Sequence, residues 1–178
     1  LRSSDIALGL RKLDRSSAQL DLAELAGADR SEIEVRRATL AEARQQFELA
    51  ASFWLSATLD RPADRSLPSH LIDAAVRAAN FDAAQLAAQN WLNLSNLPAA
   101  HFALAQLIAL DDPINAKDHF AQAPIDKAQE FLAVLNDPRS SDPAYRAVAL
   151  GRAYLAGNDL ILAARAFQAA TIANPNYG

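Results

Sequence analysis

One stretch, from Ala144 to Tyr177, dictates much of what this chain can become: AYRAVALGRAYLAGNDLILAARAFQAATIANPNY. Two runs with apolar residues at helical spacing flank the turn Gly157-Asn158-Asp159, and the second run ends at Pro175, which cannot continue a helix. Small residues at Gly151, Ala163 and Ala170 let two antiparallel helices approach closely, and Tyr154 and Phe167 fill the holes that this approach leaves. A lone pair of such helices cannot bury its apolar faces. The spacing therefore predicts hairpins that stack on neighbouring hairpins.

Ala147, Leu150, Gly151, Tyr154, Ala163, Phe167, Ala170 and Pro175 also fall at the small, bulky and aromatic slots of a known pattern. The stretch resembles the tetratricopeptide repeat, whose period is about 34 residues, with Ala147 where that family often has Trp. The resemblance extends to 97–123 through Ala100, Leu104, Leu107, Ala116, Phe120 and Ala123, and to 64–92 through Leu71, Ala75, Phe81 and Ala84. Over 31–60 it is carried by Ala43, Phe47 and Ala50, which repeat the small-aromatic-small spacing of Ala163, Phe167 and Ala170. It implies an all-α fold, a right-handed α-solenoid of stacked antiparallel helix hairpins.

Upstream, residues 1–27 read as one or two short helices stopping at Gly27, with Ile6, Leu8, Leu10, Leu13, Leu20, Leu22 and Leu25 as the apolar positions. From Ser31 to Asp60 no Gly or Pro intervenes, so one long helix of about 45 Å is expected, its start marked by a capping box of Ser31 and Glu34. It is either a degenerate repeat helix or a capping helix. The resulting division is an N-terminal helical region, 1–60, and a repeat region, 61–178. The latter comprises hairpins at about 64–95 and 97–123, an irregular helix at 125–136, and the hairpin at 144–177. The 64–95 hairpin is expected to turn at Asn80-Phe81-Asp82 with Asp82 as helix cap, and Asp112 and Asp142 are expected to cap helices that open with Pro113 and Pro143. Because the chain starts at Leu1 and stops at NPNYG, where one repeat hands over to the next, a longer parent repeat protein is expected, with contacts to the rest of its solenoid.

Composition narrows the function. A net charge of -4 and a pI near 5.3 argue against nucleic acid as a partner. No window suits a membrane span. Cysteine is absent, which excludes disulfides and thiolate metal sites and suits a bacterial envelope or periplasm as well as a cytoplasm. The histidines, His70, His101 and His119, sit in three different helices without a ligand partner at i+3 or i+4, so no metal is assigned. Asp5, Asp111 and Asp112 sit at helix starts, where capping explains them. No nucleophile turn or phosphate-cradling glycine loop occurs, so no catalytic residue and no cofactor are assigned and the chain is read as a non-enzyme. Arg36, Arg37 and Arg44, interleaved with Glu32, Glu34, Glu42 and Glu48, read as a solvated mixed-charge face.

The family resemblance implies a groove lined by the first helix of each repeat. Carried onto this chain, its polar members are Asp73 and Arg77, His101, and Tyr145 and Arg152, residues suited to gripping a peptide. The function implied is a protein-interaction scaffold that recruits a protein or peptide into a complex. The alternative is a structural spacer or assembly subunit of a bacterial envelope or secretion complex. A non-catalytic portion of an enzyme ranks last.

Overall fold

The computed structural model of the chain describes residues 3–176, with side chains from residue 12 onward. The expectations placed on Asp5, Ile6, Leu8, Leu10 and Tyr177 lie outside the described side chains. Every regular element among the described residues is helical: α1 (Ser3–Leu25), α2 (Arg30–Ala43), α3 (Phe47–Asp60), α4 (Leu67–Arg77), α5 (Phe81–Ser95), α6 (Pro98–Ile108), α7 (Pro113–Phe120), α8 (Ile125–Asn136), a short 3-10 turn (Pro138–Ser141), α9 (Pro143–Ala156) and α10 (Leu160–Ala173). They form two compact units, residues 1–80 and 81–178. Within each unit a helix packs on its neighbours in the chain, α1 to α4 in the first and α5 to α10 in the second, which is the packing order of a solenoid-like all-α fold.

The first unit corrects the single long helix expected over 31–60. The run breaks into α2 and α3 at Arg44-Gln45-Gln46, where Gln45 takes φ +59°. The amide of Gln46 donates to the carbonyl of Ala41 and that of Gln45 to Glu42, at 2.9 and 2.8 Å, which closes the end of α2 in a Schellman motif. Glycine normally occupies the left-handed position of that motif, so a Gln there leaves no sequence signal. The same pair of bonds ends α1 at Gly27, α4 at Ala79 and α9 at Asn158, all with positive φ.

Helix starts differ from the expectation at two places. α2 begins at Arg30 because the Asp29 carboxylate accepts from the Glu32 amide at 3.0 Å, so Ser31 is already helical. The cap thus sits two residues earlier than the capping box implied, and the buried Ser31 Oγ has no partner. α5 begins at Phe81, which places Asp82 inside the first turn rather than at the cap. Asp112 and Asp142 do cap α7 and α9, accepting from the amides of Asn115 and Ala144, with Pro113 and Pro143 opening those helices.

Of the mixed charges read as a solvated face, Arg36 and Glu32 form an exposed pair at 2.9 Å, while others fasten helices together. Arg37 donates to Asp21 and Glu24, and Arg44 to Asp14, all on α1, at 2.7 to 2.8 Å. Glu42 accepts from the indole of Trp54 on α3 at 2.8 Å. Glu34 is buried.

In the second unit the irregular helix α8 is part of the core. Phe131 stacks on Phe120 of α7 at 5.0 Å between centroids and meets Phe102 of α6 and Tyr154 of α9 at 5.9 and 5.1 Å. α9 and α10 then pair as their spacing predicts, burying Ala147, Leu150, Tyr154, Ala163 and Ala170. A Cβ built on Gly151 would lie 2.6 Å from the Phe167 ring, so a methyl group there forces the ring aside. At Gly157 the same Cβ meets only backbone oxygens at 3.5 Å, an ordinary contact. Gly151→Ala is therefore expected to lower stability by about 1–3 kcal/mol through overpacking. Gly157→Ala, whose φ of -77° suits alanine, should leave stability unchanged or raise it by about 0.4–1 kcal/mol. Urea denaturation of both variants checks this, and equal effects at the two glycines would contradict it.

Candidate functional site

The five groove residues fall in both units, and the helices present them differently. α4 turns Leu67, Leu71, Ile72, Ala74, Ala75 and Val76 inward, which leaves Asp73 and Arg77 exposed. They pair with each other at 3.4 Å, one helical turn apart, and the Arg77 guanidinium sits over the Phe47 ring at 5.5 Å. An exposed pair of this kind contributes only about 0.3–0.5 kcal/mol, so both charges can be redirected toward a partner.

On the third hairpin the resemblance places Pro98, His101, Ala105, Ile108 and Ala109 in the groove. Pro98 is exposed, but His101, Ala105, Ile108 and Ala109 are buried. His101 meets a residue that spacing did not pair with it. Its Nδ1 lies 2.9 Å from Nδ1 of His119 on α7, and its Nε2 lies 3.0 Å from Oδ1 of Asn96 in the α5–α6 turn. Burial holds the His101 imidazole below its ordinary pKa, and the neighbouring His119 adds to the effect. No i+3 or i+4 rule reveals partners 18 residues apart on two helices; only the α6–α7 hairpin brings them together. The remaining histidine, His70, stacks on Trp54 at 4.7 Å in the first unit.

On α9, too, an outer strip stays accessible. Tyr145 and Val148 are half-buried, while Arg152 and Leu155 are exposed, Leu155 to 47%. The Tyr145 hydroxyl donates to Asp137 Oδ2 at 3.0 Å, and the Arg139 guanidinium lies 4.7 Å from the centre of its ring. Asp137 also accepts from the Arg139 side chain and from its amide, capping the 3-10 turn. These contacts, above all the Arg139 side chain, hold the Asp137 carboxyl far below the usual carboxylate range. The strip thus offers a ring in a fixed position, the Arg139 charge beside it, and Arg152 two turns further on. The family resemblance pointed to Tyr145 and Arg152. It missed Asp137 and Arg139, which lie in the linker before the helix.

With the geometry in view, the class is an all-α chain of two units, each built of helices that pack on their neighbours in the chain. No protein-family model matches the chain, and no curated protein sequence matches it either. No helix among the described residues is long and apolar enough to cross a membrane.

The depressed Asp137 carboxyl fixes the sign of a pH effect. A carboxylate stabilised by folding contributes above its unfolded value of about 3.8, and the contribution disappears as pH falls through its folded-state value. Asp137→Asn should therefore be less stable than wild type at pH 7, with the gap closing progressively below pH 4. Denaturant melts at several pH values test this, and a gap independent of pH would refute the charge-based account.

Proposed function

We propose that the chain is a tetratricopeptide-like helical-repeat scaffold that binds a protein or peptide partner along α9. The observation that carries the reading is the contrast between the two candidate strips of the second unit. The positions His101, Ala105, Ile108 and Ala109 are consumed by the core, whereas Tyr145, Val148, Arg152 and Leu155 of α9 line up at one face of an otherwise well-packed helix. A half-buried tyrosine with arginines close by is a combination suited to a peptide, since aromatic and Arg side chains supply much of the binding energy at protein interfaces. The close α9–α10 pairing through Gly151 and Phe167 also supports the repeat reading.

A second reading, an assembly or spacer segment, is favoured by a different observation. Leu160 and Ile172 on α10 are 63% and 75% exposed. They stand at opposite ends of α10, and each offers a separate apolar contact to a further helix of a larger complex.

The two readings separate by mutation. In a pull-down from source cells followed by titration of the recovered partner, Tyr145→Ala combined with Arg152→Glu should weaken binding by at least about tenfold, the order expected when an interface anchor is truncated, while Leu160→Glu with Ile172→Lys leaves it unchanged. The reverse pattern would favour the assembly reading and sink the α9 strip.

A further inference from the structure

The part-buried contact between His101 and His119 takes a definite proton arrangement with Asn96 Oδ1 at its end. Asn96 Oδ1 can only accept, so His101 Nε2 carries a hydrogen and donates to it. In the neutral imidazole the other nitrogen, Nδ1, is then an acceptor, and His119 Nδ1–H must be the donor across the 2.9 Å gap. A proton added at His119 Nε2 keeps the Nδ1–H donor in place and strengthens its bond. A second proton must go onto His101 Nδ1. That sets donor against donor at 2.9 Å, beside a side chain only 5% exposed.

Around the pair, α8, packed on α7, carries Asp126, Lys127 and Glu130, and the α6–α7 turn carries Asp111, paired with Arg165, and Asp112, which caps α7. α6 carries no other ionisable residue, and α5 carries only Asp82, near its far end. α7 adds Lys117 and Asp118, and among the described residues no carboxylate lies within ion-pair distance of either imidazole. α7 itself is only eight residues long and is anchored by two buried side chains, Ala116 and Phe120. Beside the contact of Phe120 with Phe102, the histidine pair is a polar tie between α7 and α6.

We propose that the His101–His119 pair, with Asn96 as its fixed end, is an acid-sensitive latch that keeps α7 closed on α6 at neutral pH and releases it when both rings are protonated. The sign agrees with the depressed His101 value: the stabilisation is complete above the unfolded value of about 6.5 and is lost as pH falls below it. The latch belongs to the second unit alone and does not depend on which partner the α9 strip binds.

Amide hydrogen exchange on the full chain at pH 7.5 and 5.0, corrected for intrinsic rates, tests it. Exchange over 98–120 should quicken in acid, while 144–173 changes much less. His119→Asn places an amide near the Nδ1 position that can turn to accept from or donate to His101, so its acid response should disappear. An unchanged wild-type rate, or an equal acid response in His119→Asn, would overturn the proposal. Should that variant fail to fold, NMR titration of the wild-type imidazoles decides. Linked titration with His101 neutral after His119 has charged supports the latch, and two independent titrations near the ordinary histidine value contradict it.

Discussion

The end of α6 is the point on which the second unit depends. A helix leaves its last carbonyls without intrahelical partners, and here side chains from α9 and α10 supply them across long stretches of chain. The Tyr154 hydroxyl donates to the Gln106 carbonyl at 2.6 Å, and Arg165 donates to Leu107 at 2.9 Å. Arg146 reaches Leu110, just beyond the helix, at 3.3 Å, and the Ile108 carbonyl accepts from the amides of Asp111 and Asp112. Two guanidinium groups at a helix C-terminus also complement its dipole. Arg165 extends the tie further, pairing with Asp111 at 2.8 Å and covering the Phe81 ring of α5 at 4.5 Å.

This arrangement explains how an irregular insertion is tolerated. α8 and the 3-10 turn separate α7 from α9, and a strict repeat would be put out of step there. Instead Phe131 enters the aromatic group of Phe102, Phe120 and Tyr154 from one side while Tyr154 holds α6 from the other. Tyr154 thus takes part in both the apolar core and the polar cap, and burial pushes its phenol well above the ordinary value, so it stays a neutral donor. Arg146 adds a bond to the Ser140 carbonyl, and Ser140 Oγ donates to Val134 at the end of α8, which fixes the turn before α9.

Much of the helical fold was legible, because apolar spacing, Pro at helix starts and Asp caps act locally. The bounds of α8, the α9–α10 pairing and the stop at Gly27 follow from such signals. The break at Gln45 did not, since an end closed by backbone bonds around a left-handed Gln has no compositional mark. The candidate site divides in the same way. Tyr145 and Arg152 could be placed on one strip by helical period, and they are. Whether a strip faces water depends on what packs over it, which is why His101 turned out to be buried against His119 and why Asp137 and Arg139 were not anticipated. The arginines of α2 show the same limit, because their acidic partners on α1 lie 13 to 30 residues away in the chain.

The proposed scaffold role rests on a stiff α9, and α9 is stiff to the extent that its inner side chains are tied to α6. The most direct measurement is a double-mutant cycle on Tyr154→Phe and Arg165→Met by urea denaturation. Each removes a donor from a carbonyl at the end of α6, and each should cost about 1–3 kcal/mol, the penalty for leaving such a group unpaired. Because both changes act on adjacent carbonyls, their effects should couple by more than about 0.5 kcal/mol. A cost below about 0.5 kcal/mol for Tyr154→Phe, within the range of a surface substitution, would show that the α6 end is not what holds the second unit together.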